Sequence, residues 1–273
     1  MPQPSSTTAE PLSRFMPQPH PNQVYDKNER LEAAFEADKA TGFAERIRRV
    51  LLAIGVPPRD QKTKREIIPT AISNLKCWNS FPAYGFGMIG NAGCGKSCAL
   101  VAQIQEVLRE ELTAAGPKRY DDSEQAIGGE PTTEFRWIGW PAFASRMKNL
   151  AARREWVVPG ASTEGLIQWI QSDQDHHRVL ILDDLGMENV KGGGYSNEQL
   201  ELLVDAAYGY EARLFWTSNK SVTDTEVDGN KVFGLANPAI YGPRLVSRLI
   251  GLSPDAVLPK NMVDLRVQAM RRE

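Results

Sequence analysis

This chain of 273 residues has few cysteines, no long apolar run and little excess of charge of either sign. Its three cysteines, Cys77, Cys94 and Cys98, are too few for a disulfide framework and lack the spacing of a four-ligand zinc site. No run of about 18 apolar residues offers a membrane span, and the first residues lack the basic and then apolar pattern of a signal peptide. These absences predict a cytoplasmic protein with reduced thiols and no membrane partner.

The formal net charge is −2, so the sequence gives no sign of an overall positive field that would attract nucleic acid. A local basic patch is compatible with that value, because net charge does not describe how the charges are distributed. Hydrophobic residues make up 41% of the chain and charged residues 24%, which is enough apolar material for a buried core. The length suits one large domain or one domain with an extension.

Composition divides the chain into three parts. Residues 1–25 are rich in proline, glutamine, serine and threonine, which predicts a disordered tail. Residues 26–68 show two helical patterns separated at Gly42 and then a charged connector, so we expect a small helical N-terminal extension that could bind a partner. Residues 69–273 are the predicted core domain, which begins with a short helix near 69–78.

Segments typical of strands alternate with segments typical of helices through the core domain. This order predicts an α/β fold in which a parallel sheet lies between helices on both faces, as a three-layer structure. The polar segment 115–133, which contains glycines and prolines, is expected to be an exposed loop. The predicted strands are residues 86–89, 135–140, 179–182 and 214–217, and the predicted helices are residues 96–113, 141–154, 163–172, 197–208 and 238–250.

One segment matches the phosphate-binding pattern G-x-x-x-x-G-K-[ST] in full. It follows a predicted strand and opens a predicted helix, where backbone N–H groups and the helix dipole favour phosphate. Lys96 is expected to contact the β- and γ-phosphates of ATP, and the Ser97 hydroxyl is expected to bind Mg²⁺. The predicted ATP contacts are Gly90, Asn91, Ala92, Gly93, Cys94, Gly95, Lys96, Ser97 and Cys98.

Two carboxylates follow the apolar run that ends at Leu182. A buried parallel strand delivers its last residues to the carboxyl edge of the sheet, where ligands bind in open α/β folds. We therefore expect Asp183 to be a second Mg²⁺ ligand and Asp184 to orient or deprotonate the attacking water. Glu188 is an alternative for the role of Asp184.

Two later segments complete the predicted catalytic set. The strand Leu214–Thr217 runs into Ser-Asn, so Asn219 could hydrogen-bond the attacking water or the γ-phosphate, although these residues are also good turn formers. Arg244 and Arg248 lie four residues apart, on one face of a predicted helix. Either could act as an arginine finger on ATP bound to a neighbouring subunit, with Arg248 the first choice; the alternative is a pair of solvated surface arginines.

In this order the four motifs resemble those of the DnaC/IstB type of AAA+ ATPases, the group of replicative helicase loaders and transposon accessory ATPases. The matching segments are GNAGCGKS, VLILDDLG, WTSNKS and GPRLVSRL, with VDLR near the C-terminus and GVPPRD at residues 55–60, which resembles the segment where adenine often packs. The resemblance implies a P-loop NTPase (AAA+/RecA-like) core without a helical lid domain. It also implies ATP and Mg²⁺ as ligands and hydrolysis that depends on self-association into an oligomer.

The same resemblance implies a DNA-replication accessory protein, a loader that binds single-stranded DNA and a replicative helicase. An IstB-like ATPase that acts on duplex DNA with a transposase is the alternative within the family. Outside it, a kinase or nucleotide switch and a binding module with decayed motifs are less well supported, because few residues follow the Arg248 helix to form a lid and the motif residues are intact. Basic and aromatic candidates for DNA contact surround one strand–helix unit, unless the tryptophans belong to the core: Arg136, Trp137, Arg146, Lys148, Arg153, Arg154 and Trp156.

Overall fold

The computed structural model describes most of the chain between residues 21 and 257. Several predictions fall outside the described residues: the tail up to residue 20, the short helix near 69–78 apart from Ile72, the VDLR segment, and Cys77, Arg154, Trp156 and Glu188. The described residues are 21–40, 42–58, 60–61, 72, 85–121, 126–153, 162–172, 177–187, 194–227, 229–253 and 255–257.

Helices and strands alternate through the described part of the core domain. The helices are α1 (Pro21–Ala40), α2 (Ala44–Ala53), α3 (Lys96–Ala115), α4 (Trp140–Arg153), α5 (Thr163–Gln171), α6 (Gly194–Gly209) and α7 (Pro243–Leu252). The strands are β1 (Phe86–Ile89), β2 (Arg119–Tyr120), β3 (Ala126–Ile127), β4 (Thr133–Gly139), β5 (His177–Leu185), β6 (Arg213–Ser218), β7 (Thr225–Val227), β8 (Asn230–Val232) and β9 (Asp255–Val257).

Five strands form one sheet in the order β4-β5-β6-β1-β9, and every neighbouring pair in it is parallel. The register sets Gly139 opposite Asp183, and Ile89 opposite Ser218. The last residues of β4, β5, β6 and β1 therefore share one edge of the sheet. The predicted parallel sheet is confirmed, and Asp183 and Asp184 lie near the end of β5 at that edge, whereas Lys96 and Asn219 follow β1 and β6.

Buried side chains form a separate hydrophobic cluster on each face of the sheet, because successive residues of a strand point to opposite faces. One cluster joins Val179 and Phe215 of the sheet to helices α2 and α3. The other joins Leu180 and Trp216 to helices α4, α5, α6 and α7. The fold is therefore the predicted three-layer α/β structure with helices on both faces.

The N-terminal helices lie on the same face of the sheet as α3. Ile47 and Leu51 of α2 are one turn apart, and both are buried in the cluster that contains Phe215. Gly42 has a φ of 71°, which glycine adopts without strain, and it separates α1 from α2 as predicted. Helix α1 begins at Pro21, so residues 21–25 are helical although they were expected in the tail. The division into an extension and a core domain stays a prediction.

The GVPP segment that follows α2 lies beside edge strand β4. The Trp137 amide of β4 donates a 2.9 Å hydrogen bond to the Ile54 carbonyl. The Gly55 backbone passes so close that a Cβ at this residue would lie 2.9 Å from the Trp137 carbonyl oxygen. An adenine contact by this segment, which the resemblance implies, stays a prediction.

The expectation of an exposed loop over residues 115–133 was wrong in part. Strands β2 and β3 pair in antiparallel orientation within it. The pair is held against α1, because the Asn28 side chain donates to the Tyr120 carbonyl at 3.0 Å and accepts from the Tyr120 amide at 2.9 Å. Asn28 is 92 residues from Tyr120, so no local pattern in the sequence reveals this contact.

Other element boundaries also moved. Trp140 begins α4 and does not end the preceding strand, and α7 begins at Pro243, five residues later than predicted. Gly242 precedes it with a φ of 83°, and proline is well suited to the first turn of a helix because it has no N–H to leave unpaired. A second antiparallel pair, β7 with β8, was not predicted.

Candidate functional site

The glycine-rich loop lies between β1 and α3, at the carboxyl edge of the sheet. Gly93 and Gly95 have φ values of 77° and 97°, a region of the backbone map that favours glycine and that lets successive N–H groups turn toward one side. The loop is tied to β6, because the Gly90 amide donates to the Ser218 carbonyl at 3.1 Å. The predicted strand–loop–helix arrangement is therefore confirmed as local structure.

Lys96 is buried at the start of α3, and its ammonium group is turned into the loop. It donates to the carbonyl oxygens of Gly90 and Asn91, both at 2.9 Å, and to Oδ1 of Asn219 at 2.7 Å. Burial lowers the pKa of Lys96, whereas its electrostatic interactions with Cys94, Asp184 and Asp183 oppose that shift. The structure thus brings together two residues predicted from segments 123 positions apart.

Asp183 is the buried acid of the site. Its Oδ1 accepts hydrogen bonds from the Ser97 hydroxyl at 2.8 Å and from the Thr217 hydroxyl at 2.6 Å. Burial raises the pKa of Asp183 to about 6, against these two hydrogen bonds, which lower it. The charged form of a carboxylate that loses its hydration in this way is stabilised by a cation placed beside it.

Ser97 and Asp183 are the two residues predicted to bind Mg²⁺. Their contacting oxygens lie 2.8 Å apart, close to the roughly 3 Å edge of an octahedron whose metal–oxygen distances are about 2.1 Å. Hydroxyl and carboxylate oxygens are also the ligands that Mg²⁺ prefers. The two side chains therefore fit the cation by donor type and by spacing. Within the described part of the chain no group of three histidine, cysteine or acidic residues gathers as a separate metal cluster.

Asp184 lies in an irregularity of β5. Leu182 pairs with Trp216 and Leu185 with Ser218, so Asp183 and Asp184 together face the single residue Thr217. Asp184 has a φ of 63°, which for a residue other than glycine stores about 1–3 kcal/mol of backbone strain and is often found at functional sites. This β-bulge turns consecutive acids in different directions.

Thr217 holds the bulge together. Its hydroxyl donates to Asp183 Oδ1 at 2.6 Å and accepts from the Asp184 amide at 2.9 Å, so one side chain fixes both acids. Ser218 contributes in the same way, since its hydroxyl donates to the Leu185 carbonyl at 2.9 Å. Thr217 was not among the residues predicted from the sequence, because the register that sets it opposite the two acids is known only from the structure.

A cavity of about 780 Å³ borders the acids on the side of β4. Gly55 and Pro57 line one wall, Phe143 and Leu166 line another, and Asp183 and Asp184 are part of its lining. Two arginines, Arg136 and Arg146, also line it. The acids therefore lie between the phosphate loop and a cavity that has positive charge in its walls.

The two predicted arginine fingers form ion pairs with acids of helix α6. Arg244 Nε is 3.1 Å from Glu201 Oε1 on α6. Arg248 Nη1 contacts Asp205 Oδ1 and is 3.9 Å from Glu201 Oε1. Neither residue has a contact with the phosphate loop among the described residues, and the arginine-finger role stays a prediction.

Some predicted DNA contacts belong to the core. Trp137 is only 4% exposed and Trp140 is fully buried, so neither ring is available to stack on a base; the alternative in which the tryptophans belong to the core holds for both. Arg136, Arg146 and Lys148 are exposed, and the two arginines lie over the rings of Trp169 and Phe143, respectively. In the loop itself, Asn91 and Ala92 are exposed, Cys98 is half-buried, and Cys94 is buried with Sγ 3.8 Å from Lys96 Nζ.

Comparison with protein-family models and with curated proteins finds no match for this chain. Similar solved structures include DnaI, with 14% identity over 76% of this chain and 96% of that chain and a TM-score of 0.46. They also include the DnaC helicase loader, with 15% identity over 64% and 78% and a TM-score of 0.37. A third is domain III of the replication initiation protein DnaA from Thermotoga maritima, with 14% identity over 69% and 60% and a TM-score of 0.43.

These likenesses are too distant to carry activity or partners over to this chain. The class of the fold rests on its own geometry: a parallel sheet, a phosphate loop between β1 and α3, and paired acids on β5. Together they form an α/β P-loop NTPase domain of the AAA+/RecA-like kind. None of the helices in the described ranges is long and apolar enough to cross a membrane.

Proposed function

We propose that this chain binds ATP with Mg²⁺ on the loop Gly90–Ser97 and hydrolyses it. The observation that carries the proposal is the convergence of Lys96 on Asn219 at 2.7 Å and of Ser97 on Asp183 at 2.8 Å. These residues come from the loop and from the ends of two different strands, and no packing requirement brings a lysine, an amide, a hydroxyl and a buried acid to one point.

Each side chain has a role that follows from its position. Lys96, now bonded to loop carbonyls, would exchange these acceptors for phosphate oxygens, which form stronger charge-assisted bonds. Ser97 and Asp183 would hold Mg²⁺, which when bound neutralises charge on the phosphates. Asp184 would orient or deprotonate the attacking water, and Asn219, released from Lys96, would hydrogen-bond the γ-phosphate or that water.

The site is composite in this proposal. Arg248 and Arg244 are paired with acids of α6 in their own chain, and the positive charge that stabilises the transferred phosphate would come from another copy. Self-association would therefore control turnover. An Arg248→Ala variant should bind ATP and fail to hydrolyse it, whereas normal turnover by this variant at low protein concentration would exclude the finger role.

We infer a DNA-replication role from the motif resemblance: a helicase loader that binds single-stranded DNA and a replicative helicase. The chain itself supports a DNA contact by placing exposed Arg136, Arg146 and Lys148 on one strand–helix unit, with both arginines lining the cavity next to Asp183 and Asp184. A strand bound there would lie close enough to the acids to affect hydrolysis.

ATP turnover with and without each kind of DNA tests both levels of the proposal. We expect single-stranded DNA to stimulate phosphate release more than duplex DNA, and a Lys96→Ala variant to release none. Turnover that is unchanged in Lys96→Ala would exclude the site, and preferential stimulation by duplex would favour the IstB-like alternative. An Arg136→Ala variant should lose the stimulation and keep the basal rate, with Lys118→Ala as a control for removing positive charge elsewhere.

The partner can be identified by affinity capture from the native cell with an Asp184→Asn variant, which is expected to bind ATP and not to hydrolyse it. A replicative helicase that elutes with ATP-loaded protein supports the loader role. A transposase recovered in its place supports the alternative.

A further inference from the structure

Four charged side chains form a ladder between helices α6 and α7. Arg244 and Arg248 are one turn apart on α7, and Glu201 and Asp205 are one turn apart on α6. Glu201 contacts both arginines, at 3.1 Å from Arg244 and 3.9 Å from Arg248, whereas Asp205 contacts Arg248. This arginine ladder occupies the guanidinium that the proposed function assigns to the ATP of a neighbouring copy.

A guanidinium that is paired with a carboxylate binds a phosphate less well than an unpaired guanidinium does. If Asp205 stayed paired with Arg248 while the arginine approached a triphosphate, the carboxylate and the phosphates would repel each other. This repulsion opposes the approach. The pair is also open to solvent, with 32% of the Arg248 side chain and 37% of the Asp205 side chain exposed. Exposed pairs are weak, so a more highly charged acceptor can replace the carboxylate.

We propose that Asp205 and Glu201 are positioning residues. They keep Arg248 paired within its own chain until it binds the triphosphate on a neighbouring copy in their place. The inference rests on the shared ATP site of the proposed function and adds the step that precedes sharing. Arg244, held by Glu201 in the same ladder, would keep the helices in register while Arg248 moves. In a single copy Arg248 therefore stays paired with Asp205, and assembly must supply the free energy that breaks this ion pair.

A mixing experiment isolates this step. A Lys96→Ala copy can offer Arg248 but has no working loop, and an Arg248→Ala copy has a working loop but no arginine. Turnover in the mixture therefore comes from composite sites alone. We would titrate the arginine donor into a fixed amount of the Arg248→Ala acceptor and compare Lys96→Ala with the double variant Lys96→Ala/Asp205→Asn.

Release of an exposed ion pair should lower the donor concentration at half-maximal turnover by about two- to fivefold. The matched control is Glu198→Gln in the same donor, which removes the same charge from an exposed residue of α6 outside the ladder and should leave that concentration unchanged. Glu201→Gln provides a second variant, with a shift in the same direction. Thermal unfolding of each donor shows whether the acids only stabilise the fold. A purely structural role would change the unfolding temperature and leave the half-maximal donor concentration unchanged.

Failure of the inference and failure of the proposed function look different. If the wild-type protein turns over ATP and the mixture is active, an unchanged or higher half-maximal concentration for Asp205→Asn overturns the withholding role and leaves the ATPase proposal standing. An equal shift for Glu198→Gln also overturns it, because general charge would then explain the effect. If the mixture is inactive while the wild-type protein turns over ATP, the shared site is wrong and the ladder inference is overturned with it. A wild-type protein without turnover overturns both.

Discussion

Replacing Asp183 by asparagine removes a buried carboxylate whose ionisation opposes folding. Its pKa rises from 3.8 to about 6 on folding, chiefly because burial removes the hydration of the charged form. The folded chain therefore holds this proton more tightly than the unfolded chain does. Stability from this group is fully present below pH 3.8 and is lost as the pH rises through about 6.

The size of the effect follows from the shift. At about 1.4 kcal/mol for each unit of pKa, ionising Asp183 in the fold costs about 3 kcal/mol over the whole interval. Part of that interval is accessible without acid denaturation. Between about pH 5 and about pH 7.5 the wild-type protein should lose about 1–1.5 kcal/mol relative to Asp183→Asn, which keeps an oxygen to accept from Ser97 and Thr217.

Urea unfolding of both proteins at these two pH values, with a chelator present so that no cation screens the carboxylate, measures this change directly. Asp224→Asn is the control, because its hydrogen bond with Lys231 lowers the pKa of Asp224, and a lowered value places its titration below this window. We expect the control to keep a constant difference from wild type between the two pH values. If Asp183→Asn also keeps a constant difference, burial does not raise the pKa of Asp183 and the reasoning fails.

Three further substitutions test separate parts of the site and sheet. Tyr241→Phe removes the hydroxyl that accepts a hydrogen bond from the buried Gly186 amide at 2.8 Å, and urea unfolding should show that the free energy of unfolding falls by about 1–3 kcal/mol. Asn219→Ala removes the amide at the phosphate loop, and steady-state turnover should fall about 100-fold while ATP binding persists. Gly87→Ala would place a Cβ 2.1 Å from Cε2 of Trp216, and the overpacking should cost about 1–3 kcal/mol in unfolding free energy.

Each substitution has a matched control in the described chain. Tyr208→Phe changes an exposed tyrosine and should not alter stability, so an equal loss there would dismiss the Tyr241 hydrogen bond as the cause. Gly251→Ala meets no atom within 4 Å and lies in a helix, so it should not destabilise the fold as Gly87→Ala does. Asn230→Ala, on an exposed hairpin, should keep full turnover; a comparable drop would remove the case for Asn219.

The sequence was sufficient to predict what depends on short-range pattern. The phosphate loop is contiguous, its glycines and Lys96 are recognisable by spacing alone, and the apolar run before Asp183 indicates a buried strand. Because parallel strands share a carboxyl edge, the sequence alone predicts that Asn219 lies near the loop.

Features that depend on register or on distant contacts were beyond that reasoning. The bulge at Asp184 exists because two residues of β5 face Thr217 of β6, and a single sequence does not give the register between strands. The hairpin of β2 and β3 depends on Asn28, and the partner of Arg248 is an acid 43 residues earlier in the chain. The place of Trp137 stayed open between core and DNA surface, because an aromatic residue next to basic residues suits both.

The most direct test of the account is equilibrium binding of ATP in the presence of Mg²⁺ to the wild-type protein and to Lys96→Ala. We expect ATP to bind without assembly, DNA or a partner, so this measurement tests the loop alone. The account predicts saturable binding to wild type, retained by the control Lys118→Ala and lost in Lys96→Ala. Equal binding by wild type and Lys96→Ala, or no binding by the wild-type protein, would contradict it.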